Sequence, residues 1–119
     1  MTIALFDAYP RLAESIARVK LCNLPTPVRK VQAITEADAY IKLDGVSAPE
    51  FGGNKVRTLE FLLGAAAQRK IPRAFVVGLA GTSMALGSAI YSKREHLNLA
   101  VILLWQQTTE DARRNLLRS

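Results

Sequence analysis

The chain has 119 residues, a length that fits one domain and leaves no room for two of ordinary size. Half of its residues are hydrophobic, which allows a core and argues against wholesale disorder. The formal net charge of +6 would suit a nucleic acid, a membrane surface or an acidic ligand such as a phosphate. The cations occur singly or in pairs, without a basic stripe or interleaved aromatic residues. A nucleic-acid-binding module is therefore the least favoured class.

Cys22 is the only cysteine, so no internal disulfide can form. No cysteine–histidine group has the spacing of a zinc site. The apolar stretch before Asp7 is too short for a signal peptide, and no apolar run is long enough to cross a bilayer. We therefore expect a cytoplasmic protein that uses no metal and binds no membrane.

The first part of the chain alternates between short structured segments and loops. Residues 10–20 place apolar side chains on one helical face after a proline, which predicts a short helix. The segment "LPTPVRKV", residues 24–31, contains two prolines and is predicted to be extended. "AYIKL", residues 39–43, alternates and is typical of a strand. "DGVSAPEFGGN", residues 44–54, has the composition of a loop.

The second part alternates between helices and strands. In order, the pattern predicts a helix from Lys55 to about Gln68, a strand at 73–81, a helix opening at 81–83, a strand at 97–105 and a helix over 108–117. The two strands are compact apolar runs of the kind found in strands covered on both faces. The last helix is predicted to be capped by Thr108 or Thr109. Counted from the strand at 39–43, this order favours an α/β fold with a parallel sheet and covering helices.

Lys55 lies at the N-terminus of a predicted helix, directly after two glycines and Asn54. The surrounding "GGNKV" lacks the spacing and hydroxyl of a P-loop, and "VGLAGTS" spaces its glycines poorly for a dinucleotide site. The positive end of a helix disfavours a cation and favours the free amine. A free amine condenses with an aldehyde to form a Schiff base. Local physics leaves two interpretations open, a reactive amine and an ordinary exposed residue of the first turn.

Three segments carry a resemblance to a known family. "LPTPVRKV", "YIKLDGVSAPEFGGNKVRTLEFLL" and "VVGLAGTSMALGSAIYSK" resemble, in order and spacing, the N-terminal part of the D-cysteine desulfhydrase / 1-aminocyclopropane-1-carboxylate deaminase family. The resemblance implies an incomplete three-layer tryptophan-synthase-β-like fold and pyridoxal 5'-phosphate as cofactor. It implies that Lys55 is catalytic and carries the cofactor, and that Asn54 lies beside it. It also implies that Thr82 binds substrate and that Ser83 faces both substrate and cofactor.

The chain departs from the family pattern at two places. The family presents a Ser-Asn-His-type triplet where this chain has Thr82, Ser83 and Met84. Thr82 keeps a hydroxyl, Ser83 is shorter than asparagine, and Met84 cannot share polar chemistry; an ordinary helix cap is the alternative role for the first two. Upstream, Leu43 and Gly45 replace charged residues of the family, and we expect this loss to loosen the loop that delivers Lys55.

The family's chains are more than twice as long as this one. We therefore expect residues 1–50 to be a segment that packs in a larger domain, and residues 51–119 to be a small, truncated α/β domain that carries the cofactor lysine. The predicted function is an N-terminal fragment of a pyridoxal-phosphate-dependent lyase or deaminase for a small amino acid, inactive alone. The alternative is a non-catalytic α/β remnant that packs or binds a partner, so whether the chain is an enzyme stays open. Expected partners are the amino-acid substrate and either further copies of the chain or a complementing segment, with no nucleic acid.

Overall fold

The computed structural model describes residues 3–32 and 37–118. From residue 54 onward, helices and strands alternate as the sequence predicts, so the α/β fold with a parallel sheet and helices is confirmed. Within these ranges no helix combines the length and apolarity needed to cross a bilayer. The elements, in chain order, are α1 (Ala4–Ala8), α2 (Leu12–Ser15), β1 (Val28–Lys30), β2 (Tyr40–Lys42), a 3-10 helix (Asp44–Val46), α3 (Asn54–Gln68), β3 (Arg73–Leu79), α4 (Ser83–Arg94), β4 (Asn98–Leu104) and α5 (Glu110–Leu116).

The parallel sheet consists of β3 and β4, joined by α4. The strands pair along their whole length, from Arg73 opposite Asn98 to Leu79 opposite Leu104. Helix α4 packs against both strands, and α3 packs against α4. Alternate residues of the strands, such as Val76 and Val101, are half-buried on the α4 side. Sheet, α4 and α3 therefore form successive layers.

The opposite side of this sheet is an open sheet face, made of Phe75, Val77, Leu79, Ile102 and Leu104. Phe75 is 71% exposed, and the other four side chains are 45–54% exposed. The expectation that both strands are covered on two faces is therefore wrong for the described part of the chain. An apolar run shows that a strand is built for burial, but it does not show which polypeptide buries it.

The strand predicted at 39–43 is confirmed as β2, but it does not belong to the parallel sheet. It pairs with β1 in a separate antiparallel sheet, with Val28 opposite Lys42 and Lys30 opposite Tyr40. Counting β2 as the first strand of the parallel alternation was therefore wrong. The chain bends at Leu24 and Pro25, where the peptide bond is cis, so the extended segment predicted for residues 24–31 is confirmed only from β1 onward.

The helix predicted over residues 10–20 is wrong after Ser15, because a buried carboxylate binds the following backbone. Glu60 of α3 is 2% exposed. Its Oε1 accepts hydrogen bonds from the backbone N–H groups of Leu21 and Cys22, at 2.8 and 2.7 Å. Its Oε2 lies 2.7 Å from the guanidinium of Arg18. These four residues are called the Glu60 cluster below, and their bonds keep the segment extended against α3.

The core lies between α3, α4 and the segment held by Glu60. This core contains residues from both sides of position 50. The predicted division into residues 1–50 and 51–119 stays a prediction. Burial, reinforced by the nearby Glu60 carboxylate, raises the pKa of the Cys22 thiol to about 11. The buried hydrophobic residues of this cluster are Leu21, Cys22, Ala48, Val56, Leu59, Leu63 and Tyr91.

The Glu60 cluster predicts a large loss of stability on truncation. Replacing Glu60 by Ala leaves Arg18 and two backbone N–H groups without their acceptor, so we expect the free energy of unfolding to fall by about 3–5 kcal/mol. Urea unfolding followed by circular dichroism measures this change. The matched control is Asp111→Ala, which removes a carboxylate from an exposed ion pair with Arg114 and should leave stability close to native. A Glu60→Ala variant as stable as the control would contradict the assignment.

The open sheet face predicts self-association of the isolated chain. Contiguous exposed apolar surface of this kind drives association in water, so we expect oligomers at micromolar concentration. Phe75→Lys, placed in the middle of the face, should shift the chain towards the monomer. Gln68→Lys adds the same charge at an exposed site on α3 and should not. Size-exclusion chromatography with light scattering distinguishes these cases, and a monomeric native chain would rule the prediction out.

Candidate functional site

Lys55 is the second residue of α3, in the first turn, as the sequence predicts. Its side chain is half-buried, whereas Asn54 beside it is exposed. The helix begins after Gly53, whose φ is 115°, and has neither a side-chain cap nor an acidic residue in its first turn. Among the residues that the structure describes, Lys55 makes no hydrogen bond or ion pair through its Nζ. The amine is therefore not committed to a structural contact there.

Residues 44–53, called the lysine loop below, lead into this helix and are closed at their base. The Gly53 N–H donates to the backbone oxygen of Asp44 at 2.7 Å and to the Oγ of Ser47 at 3.0 Å. Gly52 lies so close to Gly45 that a Cβ on Gly52 would come within 1.9 Å of the Gly45 oxygen. Glycine is thus required at position 52 by close backbone approach, and the loop has a fixed shape where it meets α3.

The Asp44 carboxylate anchors the start of the lysine loop. It accepts hydrogen bonds from Lys42 and Thr26, and Arg57 of α3 lies 2.8 Å from the same oxygen. The hydrogen bond from Lys42 and the charge of Arg57 lower the pKa of Asp44. Leu43 beside it carries no charge, and Arg57 supplies a second cation from the helix itself. Sequence reasoning did not assign this role to Arg57.

Thr82 and Ser83 lie at the start of α4. Thr82 is the N-cap, and its Oγ1 accepts a hydrogen bond from the N–H of Ala85 at 3.3 Å. Ser83 is exposed, and Met84 packs against the hydrophobic core. The capping role that the sequence left open for Thr82 is therefore the one its hydroxyl performs. The role of both residues towards a substrate stays a prediction.

The turn before α4 is held by α5. Gly81 has a φ of 78°, and a Cβ there would lie 2.2 Å from the Ala112 oxygen. The side-chain amide of Asn115 donates to the Gly81 oxygen at 2.8 Å. A cavity of about 130 Å³ beside the turn is lined partly by Thr82 and Asn115. It is smaller than the pockets of several hundred Å³ that usually hold a cofactor.

The candidate residues thus form two groups on neighbouring helices. Asn54 and Lys55 open α3, and Thr82 and Ser83 open α4. The helices pack closely, since a Cβ on Gly87 of α4 would lie 3.0 Å from a methyl carbon of a leucine of α3. No hydrogen bond or ion pair joins the two groups within the described ranges.

Sequence reasoning missed Tyr91, which binds the lysine loop from α4. Its side chain is fully buried. The hydroxyl donates to the Phe51 oxygen at 2.7 Å and accepts from the Phe51 N–H at 3.2 Å. The available signal was a lone phenol in a helix rich in small residues, "ALGSAIYS", because a buried tyrosine hydroxyl usually finds a partner.

No protein-family model matches the chain. It is 30% identical over 102 residues to nocardicin C-9' epimerase of Nocardia uniformis subsp. tsuyamanensis, covering 86% of this chain and 31% of that protein. It is 32% identical over 95 residues to a protein of Pyrococcus furiosus provisionally named 1-aminocyclopropane-1-carboxylate deaminase, covering 77% of this chain and 29% of that one.

A solved structure shares the fold. The crystal structure of a 1-aminocyclopropane-1-carboxylate deaminase homologue superposes with a TM-score of 0.78 at 29% identity, covering 98% of this chain and 35% of that one. The chain spans about a third of the length of the relatives it matches. The sequence and fold similarities confirm the resemblance: the chain belongs to the 1-aminocyclopropane-1-carboxylate deaminase / D-cysteine desulfhydrase family and corresponds to part of the length of its relatives.

Proposed function

We propose that this chain carries the cofactor-anchoring lysine of a pyridoxal-phosphate-dependent lyase or deaminase that acts on a small amino acid. The observation that supports this most is the state of Lys55. Lys55 is half-buried in the first turn of α3, and its Nζ makes no hydrogen bond or ion pair within the described part of the chain. The names of the Pyrococcus relative and of the solved homologue support the same reaction class.

The residues around Lys55 fit covalent attachment of an aldehyde cofactor. A Cβ placed on Gly53 would meet nothing within 4 Å, so there is open space beside the backbone where a flat ring could approach. Lys55 would hold the cofactor covalently, and Asn54 and Ser83 would supply polar contacts. When bound, pyridoxal phosphate supplies an electron-accepting ring that stabilises negative charge on an amino-acid substrate.

The chain's own residues would bind the substrate and move a proton. As a free amine, the Nζ of Lys55 would accept a proton from a substrate carbon, as lysine bases do. The free N–H groups at the start of α4 offer a site for the substrate carboxylate, helped by the helix dipole. The Oγ1 of Thr82 is engaged with Ala85, which leaves the exposed Ser83 hydroxyl as the side-chain donor at this site.

Two reactions are compatible with this arrangement. Elimination of a thiol from D-cysteine and ring-opening deamination of a cyclopropane amino acid would use the same lysine and the same carboxylate site. Full activity would further require polypeptide equivalent to the two-thirds of the relatives that lie outside the match. We propose that such polypeptide, in a longer chain or as a complementing segment, covers the open sheet face, and that the protein works in the cytoplasm, where Cys22 would stay reduced.

A second candidate is a non-catalytic packing or binding module. The open sheet face favours it, because that surface needs a covering partner whether or not a reaction takes place. The replacement of polar family residues by Ser83 and Met84 points the same way. In that case Lys55 would be an ordinary first-turn lysine.

Reductive trapping separates the two candidates. The purified chain is mixed with pyridoxal phosphate and reduced with borohydride, and the adduct is mapped by mass spectrometry. We expect selective labelling of Lys55, because it lies in the first turn of α3 beside the open space at Gly53. Lys55→Arg keeps the charge but cannot form the imine, so the adduct should disappear.

Lys93→Arg is the matched control at an exposed lysine of α4 and should leave Lys55 labelling unchanged. Labelling spread evenly over the lysines, or none, would count against the enzyme proposal. It would favour the packing module instead.

A further inference from the structure

Tyr91 is the hydrogen-bonding link between the lysine loop and α4 among the described residues. Its hydroxyl uses both of its functions on one residue, donating to the oxygen and accepting from the N–H of Phe51. The side chain is 0% exposed. Burial raises the pKa of Tyr91, so the hydroxyl keeps its proton at neutral pH and remains a donor.

Phe51 stands three residues before α3, so its position governs where that helix begins. Besides the bonds from Tyr91, its ring is packed against Gly87 of α4, where an added Cβ would lie 3.3 Å from a ring carbon. The other polar contact between the loop and α4 in the described ranges is the exposed ion pair of Glu50 and Arg94, with 3.9 Å between nitrogen and oxygen. An exposed pair at that distance restrains the loop weakly.

The remaining hydrogen bonds of the lysine loop do not reach α4. Gly53 is bound by Asp44 and Ser47, both of which belong to the loop. Asp44 in turn is bound by Arg57 of α3. These bonds fix the shape of the loop and its attachment to α3. The placement of the loop relative to α4, and so relative to Thr82 and Ser83, then depends on the packing of α3 on α4 and on the contacts that the loop makes with α4 directly.

We propose that Tyr91 is a positioning residue for Lys55, setting the loop and the first turn of α3 against the helix that carries the substrate-binding end. This inference rests on the proposed function. The bonds from one phenol would add to the packing of α3 on α4 in fixing the two halves of the candidate site, which no direct hydrogen bond or ion pair connects in the described ranges. Tyr91 acts through Phe51 and the lysine loop and does not touch the reacting atoms.

The test compares Tyr91→Phe with Ser88→Ala. The first removes only the hydroxyl and keeps the ring in the core. The second removes a buried hydroxyl from the same helix whose Oγ has no hydrogen-bond partner in the described structure. Both variants are studied where circular dichroism shows them fully folded. The rate of pyridoxal-phosphate capture at Lys55 is measured by borohydride quenching, with Lys93 in the same molecule as internal standard.

We expect the ratio of the Lys55 rate to the Lys93 rate to fall about tenfold in Tyr91→Phe, because small misplacements of a reacting group cost rates of this order or more. Ser88→Ala should keep the native ratio. Because both variants are compared under conditions where they are folded, a fall in the ratio reports a local change at Lys55 and not unfolding. Capture by Tyr91→Phe at the native ratio would overturn the role of Tyr91 and leave the proposed function standing.

If the native chain does not capture pyridoxal phosphate at Lys55, the proposed function itself is overturned.

Amide hydrogen exchange tests the positioning of the lysine loop independently of cofactor capture. Faster exchange of the hydrogen-bonded Gly53 N–H in Tyr91→Phe than in Ser88→Ala supports it, and equal exchange refutes it.

Discussion

The buried carboxylate of Glu60 is the interaction on which the rest of this structure depends. It lies in the middle of α3 and gathers Arg18 and the backbone of Leu21 and Cys22 around it. A charge without a partner at this depth would be strongly unfavourable, so the segment before β1 must lie along α3 for the fold to form. The helix that presents Lys55 is thereby held on one side by the N-terminal segment and on the other by α4.

The candidate site follows from this layering. Two helices begin next to loops, and each start exposes backbone N–H groups that no helix can satisfy internally. At α4 one of these groups is satisfied by the Thr82 hydroxyl, whereas α3 has no side-chain cap and carries a lysine instead. A first turn that lacks a cap and an acid while containing a cation is unfavourable for helix stability. Such a cost is typical of positions that serve function.

Local sequence chemistry predicted the elements whose determinants lie within a few residues. The apolar spacing located α3 and α4, and the hydroxyl of Thr109 caps α5 as predicted. The errors all involve distant partners: Glu60 interrupts a helix about forty residues earlier in the chain. Likewise, no pattern within β2 reveals that it pairs with β1. At the site, the position of Lys55 at a helix start was predictable, but the support from Tyr91 was not, because it joins segments forty residues apart.

The placement of Cys22 has a practical consequence. Its thiol is 2% exposed and, with a pKa of about 11, is almost entirely protonated at neutral pH. It can react with an alkylating reagent only after the segment that contains it has moved away from α3. The rate at which this single cysteine is alkylated, followed by mass spectrometry, therefore measures how often the segment detaches from α3. No added dye or engineered label is needed.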